Sequence, residues 1–110
     1  MDEIGLVHLL QSHIDEAIAW FEKGRNTPTG LPGRHSLLAS AYALKGETER
    51  ASSELTAQRL TGDSRYLNIA RVRAAGRTWG PPGDWGVPKV RALFEATYFA
   101  GLRKAGMPEE

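Results

Sequence analysis

The sequence predicts an all-α fold of paired helices finished by one longer amphipathic helix, and three observations carry that prediction. Apolar residues recur at spacings of three and four, the chain resembles itself at a shift of 34 residues, and Gly and Pro cluster mainly between the periodic stretches. At 110 residues with 41% hydrophobic content, the chain has material for one modest core and no second independent domain.

The first periodic stretch is the apolar run Ile4 to Leu10, interrupted by Gly5 and His8. A short turn follows at Ser12-His13-Ile14-Asp15, with the order of residues expected of a capping box. Ile14, Ala17, Ile18 and Phe21 then share one helix face, with Asp15, Glu16, Glu22 and Lys23 turned away. Asn26 to Gly33 contains Asn, Thr, Pro and Gly and breaks the helical pattern. In the next stretch Leu37, Leu38, Ala41 and Tyr42 form a face, and Gly46 ends the helix as a C-terminal glycine does. A shift of 34 places Gly5 on Ala39, His8 on Tyr42, Ser12 on Gly46, Ala17 on Ala51 and Phe21 on Leu55. The small residues Gly5, Ala17, Ala39 and Ala51 let helix backbones approach closely, so Ala17 and Ala51 are expected at buried helix contacts.

The period and the residues Ile4, Gly5, His8, Ala17 and Phe21, repeated as Leu38, Ala39, Tyr42, Ala51 and Leu55, resemble the tetratricopeptide family. The departures are an early Trp position held by Met1 in one unit and His35 in the other, and a closing Pro that comes one place early as Pro28 and is missing near Asp63. The resemblance implies an α–α superhelix of hairpins, with repeat 1 over residues 2–28 and repeat 2 over 34–62. It also implies a concave groove lined by the first helix of each pair, floored by Leu6, Leu9, Leu10, Ser36, Ser40, Ala43 and Leu44, with Arg71 toward the far end. A groove this apolar implies an occupant: a partner protein or peptide, a second copy of the chain as a homodimer, upstream repeats, or the chain's own last helix.

Beyond the repeats, 64–75 reads as the first helix of a degenerate third unit, with Leu67, Ile69, Ala70 and Val72 as apolar surface. Residues 76–87 are too rich in Gly and Pro for a regular element and read as a loop tacked down by Trp79 and Trp85. Pro88 opens a final helix over 88–106, where its missing N–H costs nothing. Val90, Leu93, Phe94, Thr97, Tyr98, Gly101 and Leu102 mark the apolar side, and Gly106 with Pro108 closes the helix. Two surfaces are open to that side: the exposed edge of the 64–75 helix, which would make it a cap, or the leucine-lined groove. The cap is the expectation, because sequential elements usually pack together. The tail Gly101-Leu102-Arg103-Lys104-Ala105-Gly106-Met107-Pro108-Glu109 is similar to the C-terminus of bacterial proteins that join a class III adenylyl/guanylyl cyclase domain to a long tetratricopeptide region. That similarity implies a C-terminal regulatory part without cyclase chemistry, since the metal-binding aspartates have no counterpart here.

Other chemistry finds little support. The absence of cysteine excludes disulfides, thiolate metal sites and a Cys nucleophile. His8 and His35 fall on aromatic positions of the repeat, and Ser12, His13 and Asp15 are too close along one turn to converge as a triad. His13 with Glu16 is one weak metal pair, and the 76–86 glycines lack the Lys-Ser/Thr of a phosphate loop. No enzyme activity, metal or cofactor is therefore expected. A net charge of +1 gives no global attraction to nucleic acid, although Arg59, Arg65, Arg71, Arg73 and Arg77 form a local basic stripe that supports a nucleic-acid-binding alternative. No apolar run approaches the roughly 20 residues of a membrane span. Asp2 and Glu3 stand where a secretory signal would be basic, so a cytoplasmic protein is expected. An apolar helix this close to Met1, with no polar capping element before it, is what an internal part of a longer repeat array would present.

Overall fold

The computed structural model describes residues 2–24, 33–76 and 88–110, and among these residues every regular element is a helix. Two hairpins come first: α1 (Asp2–Leu10) with α2 (Ile14–Gly24), and α3 (Arg34–Lys45) with α4 (Thr48–Leu60). The 34-residue self-similarity is written into their backbones. Ser12 and Gly46, 34 positions apart, both take left-handed conformations, with φ of 63° and 93°. Behind them His13 N–H donates to His8 O and Glu47 N–H donates to Tyr42 O, each at 2.8 Å. Both first helices thus end in the same motif, in which two freed N–H groups return to the last turn's carbonyls. Ser12 is the terminating residue of α1 and occupies the place that glycine holds in the second hairpin.

The small residues sit where close approach demands them. Ala17, Ala39 and Ala51 are fully buried. Gly5 lies against Phe21 so closely that a β-carbon there would come within 2.6 Å of the ring's Cε1. Helix α3 is central: it packs on α4, on α2 and on the C-terminal helix. Its whole stretch from Ser36 to Ala43 is therefore buried, on every face and not only on one.

After α4 the single helix expected over 64–75 is divided in two. A 3-10 turn spans Ser64–Tyr66 and α5 spans Ile69–Gly76. Each piece has its own cap: the Asp63 carboxylate accepts from Arg65 N–H at 3.1 Å, and Asn68 Oδ1 accepts from Arg71 N–H at 2.8 Å. Two side chains that satisfy the backbone outside a helix favour two starts over one continuous element. Trp79, Trp85 and the loop carrying them, together with most of the Asn26–Gly33 break, lie outside the described residues.

The last helix begins at Pro88, as its proline predicts, and is built from α6 (Pro88–Phe94), a π-helical segment (Glu95–Phe99) and α7 (Ala100–Ala105). Gly106 ends it in a left-handed conformation at φ 105°. Its docking differs from the expected cap. It lies across α3, with the π segment reaching α1 and α7 reaching α4. The reason is one of area: α5 presents only Ile69 and Val72 to the core, whereas the helix must bury Phe94, Tyr98, Phe99 and Leu102. α5 meets the last helix through Arg73, which pairs with Glu95, and it is tied to the tail, its Ile69 and Ala70 N–H groups donating to the Pro108 and Glu109 carbonyls at 2.9 and 3.0 Å. These bonds satisfy donors at a helix start that would otherwise lack partners. No helix among the described residues is long and apolar enough to cross a membrane.

Candidate functional site

Of the residues named as groove floor, Ser36 and Ser40 meet the last helix, which packs on α3 and reaches α1. Leu9, Ser36 and Ser40 are fully buried and Ala43 nearly so, while Leu6, Leu10 and Leu44 are partly buried against the same core. Four of these residues thus belong to the buried interior, and Leu6, Leu10 and Leu44 flank it. Arg71 is solvent-exposed on α5 and is not joined to the buried serines.

The polar chemistry of this contact centres on Tyr98. Ser40 Oγ donates to the Tyr98 carbonyl at 2.8 Å and more weakly to that of Thr97 at 3.4 Å. The Tyr98 hydroxyl is hydrogen-bonded to Ser36, one helical turn away on α3. Ser36 Oγ donates in turn to Gln58 Oε1 at 3.1 Å, and Ser36 N–H donates to the same oxygen. Ser36 and Ser40 therefore hold the two ends of one residue, its side chain and its main chain. Burial pushes the Tyr98 hydroxyl far above the tyrosine range, so it stays neutral.

Two further features fix the seating. In the π segment, the Thr97 hydroxyl donates to the Leu93 carbonyl at 2.7 Å, and the Ser40 hydroxyl takes up the carbonyls one turn further on. A widened turn of this kind needs outside partners for its displaced carbonyls. Gly101 lies directly on Ser40: a β-carbon there would overlap both its Oγ and its main-chain carbonyl. Around this contact Tyr98 and Phe99 stack at 5.5 Å between ring centres, and Phe94 meets Tyr98 edge-on at 6.4 Å.

A second concavity was not visible from sequence. An open polar recess of about 440 Å³ is lined by Glu22, Tyr42, Glu49, Arg50, Ser53 and Glu54, drawn from α2, α3 and α4. The Tyr42 hydroxyl donates to Glu22, the Arg50 guanidinium stands 5.7 Å from the Tyr42 ring centre, and His35 Nδ1 bonds Glu54 at 2.7 Å. Nothing in the residue spacing brings Glu22 of α2 together with Glu49 and Glu54 of α4, because separate helices supply the walls. Among the described residues no group of three or more His, Asp or Glu is arranged to hold a metal ion. His8 lies beside His13, ring centres 5.9 Å apart, with its buried Nδ1 unpartnered. The residues Ser12, His13 and Asp15 are all exposed.

The basic stripe is partly neutralised. Arg65 is paired with Asp63 at 2.6 Å, and Arg73 with Glu95 at 2.7 Å. Arg103 bridges Glu95 and Glu109, linking the last helix to the tail. The hydrogen bond from Arg103 holds the Glu109 carboxyl below its ordinary range, and that from Arg65 does the same to Asp63. Arg59 and Arg71 are exposed, and Arg77 lies outside the described residues.

Compared with family models, curated proteins and solved structures, the chain matches none of them.

Proposed function

We propose that this chain is a non-catalytic protein–protein interaction module of the tetratricopeptide kind, whose working surface is the helix-accepting seat on α1 and α3. The observation that carries the reading is the seat itself. It combines a buried apolar floor with two serines one turn apart, Ser36 and Ser40, which engage a helix by its side chain and by its backbone. Apolar area supplies affinity and the serines supply register, the usual division of work where a helix lies in a groove. The 34-residue recurrence of the Ser12 and Gly46 turns supports the tetratricopeptide character of the hairpins. A cyclase-linked setting rests on the tail similarity alone. The nucleic-acid alternative has less behind it, because Asp63 and Glu95 engage two of the arginines it requires.

The test is titration of amphipathic helical peptides into isotope-labelled chain, read by amide chemical shifts. The expected result is saturable binding that is insensitive to salt. Steeply salt-dependent retention of DNA or RNA, with shifts at Arg59 and Arg71, would replace this reading with the alternative.

A further inference from the structure

Beyond Gly106 the chain turns onto the start of α5. Met107 is buried in the core, whereas Pro108, Glu109 and Glu110 are exposed and lie on the surface. Two main-chain bonds hold this stretch: the Pro108 and Glu109 carbonyls accept from the N–H groups of Ile69 and Ala70, the first two residues of α5. A chain of charges runs over the same ground. Arg103 of α7 bonds the Glu109 carboxylate and reaches Glu95 at 3.6 Å, and Arg73 of α5 pairs with Glu95 at 2.7 Å. The charged groups acting on Glu109 are thus Arg103 from the last helix and Arg73 from α5, with Glu95 of the π segment shared between the two arginines. Exposed segments held by few bonds open locally while the rest of a protein stays folded. Met107 sets the limit of such an opening here, because no residue after it is buried.

We infer that the tail beyond Met107 is an ionically latched strap, closed over the start of α5 while the Glu109 carboxylate is charged and opened, with the core intact, when that charge is lost or screened. This goes beyond the proposed interaction function and does not depend on it. The charge-assisted bond from Arg103 is the latch, and an exposed ionic network of this kind weakens as salt rises. The same bond holds the Glu109 carboxyl below its ordinary range. A carboxyl lowered in this way contributes fully above its unfolded value of about 4.3 and loses that contribution as pH falls below it. Opening takes the carbonyl partners from two donors at a helix start, so the first turn of α5 loosens with the strap.

The experiment is amide hydrogen exchange on the full chain, with each rate divided by its intrinsic value. Ala70 is the reporter, because the residue is exposed and its N–H donates to the strap. The buried α3 residues Leu38 and Tyr42 serve as the core reference. At neutral pH, Glu109→Gln should speed exchange at Ala70 about fivefold and leave the α3 amides unchanged. The unaltered chain should show the same rise in salt on the order of 1 M, and again as pH falls from about 5 to about 3. The variant should respond far less to either. Unchanged exchange at Ala70 in Glu109→Gln would show that the main-chain bonds hold the tail by themselves, which overturns the inference. Equal acceleration at Ala70 and in α3 overturns it too, because the tail would then be part of the core and not a strap upon it.

Discussion

At the scale of single residues, the paired turns offer a controlled comparison, since one backbone geometry is filled by serine at position 12 and by glycine at position 46. A left-handed conformation costs a side-chain-bearing residue roughly 1–2 kcal/mol and costs glycine little. Ser12→Gly is therefore expected to stabilise the chain by up to about 1 kcal/mol, and Gly46→Ala to destabilise it by about 1–2 kcal/mol, both read from urea midpoints at constant m. Equal shifts of the same sign would mean that the two turns are not equivalent. Ala17 and Ala51 make a second pair, fully buried and 34 positions apart. Replacing either with Leu overpacks a helix contact and should cost about 1–3 kcal/mol, seen as a lowered melting temperature. The equivalence of these positions was legible in the sequence because a repeat aligns residues by role. The left-handed role of Ser12 was not, because a serine before an acidic residue also has the order of a capping box, and only the backbone distinguishes the two.

At the scale of elements, the last helix separates what periodicity reports from what it hides. Phe94, Thr97, Tyr98, Gly101 and Leu102 were marked by three-and-four spacing and are buried, but Phe99 was not marked and is equally buried, while Leu93 is about half exposed. The π-helical segment accounts for this. An extra residue in the turn rotates the following positions about the axis, so Tyr98 and its neighbour Phe99 both face inward. No spacing rule based on 3.6 residues per turn can detect such a register shift. The serines of α3 were read as groove lining and are bonded to this helix, an outcome set by tertiary packing and absent from local pattern. Tyr98 yields a prediction at this level. Burial raises its hydroxyl pKa in the folded state, so the folded protein holds the proton more tightly than the unfolded chain does. Its contribution is complete below the ordinary tyrosine value of about 10 and is lost as pH rises above that value. Tyr98→Phe should cost about 1 kcal/mol at neutral pH through the broken link to Ser36. It should also flatten the fall in stability between about pH 10 and 11. Parallel pH profiles for the two proteins would show that the hydroxyl titrates freely in the folded state.

For the whole molecule, the decisive quantity is how much of the core the last helix supplies. Phe94, Tyr98, Phe99, Leu102 and Met107 are all buried, and they cover Leu9, Leu38 and the α3 serines. At about 1.5–3 kcal/mol for each large side chain, their burial contributes on the order of 7–15 kcal/mol, as much as the entire net stability of an ordinary domain. Two hairpins without this helix would expose a continuous apolar surface on α1 and α3, and their own contacts would not offset the entropy of ordering the chain. A chain truncated after residue 87 is therefore expected to lose most of its helical circular dichroism and its cooperative melt. Adding the 88–110 segment as a separate peptide should restore both, at concentrations near the effective concentration that the covalent link provides, on the order of millimolar. The argument requires the two halves together: loss on truncation shows that the helix is part of the core, and recovery on addition shows that its seat is rebuilt by contacts rather than by chain connectivity. A truncated chain that melts cooperatively at the original temperature would place the core within the hairpins and leave the last helix as a surface appendage.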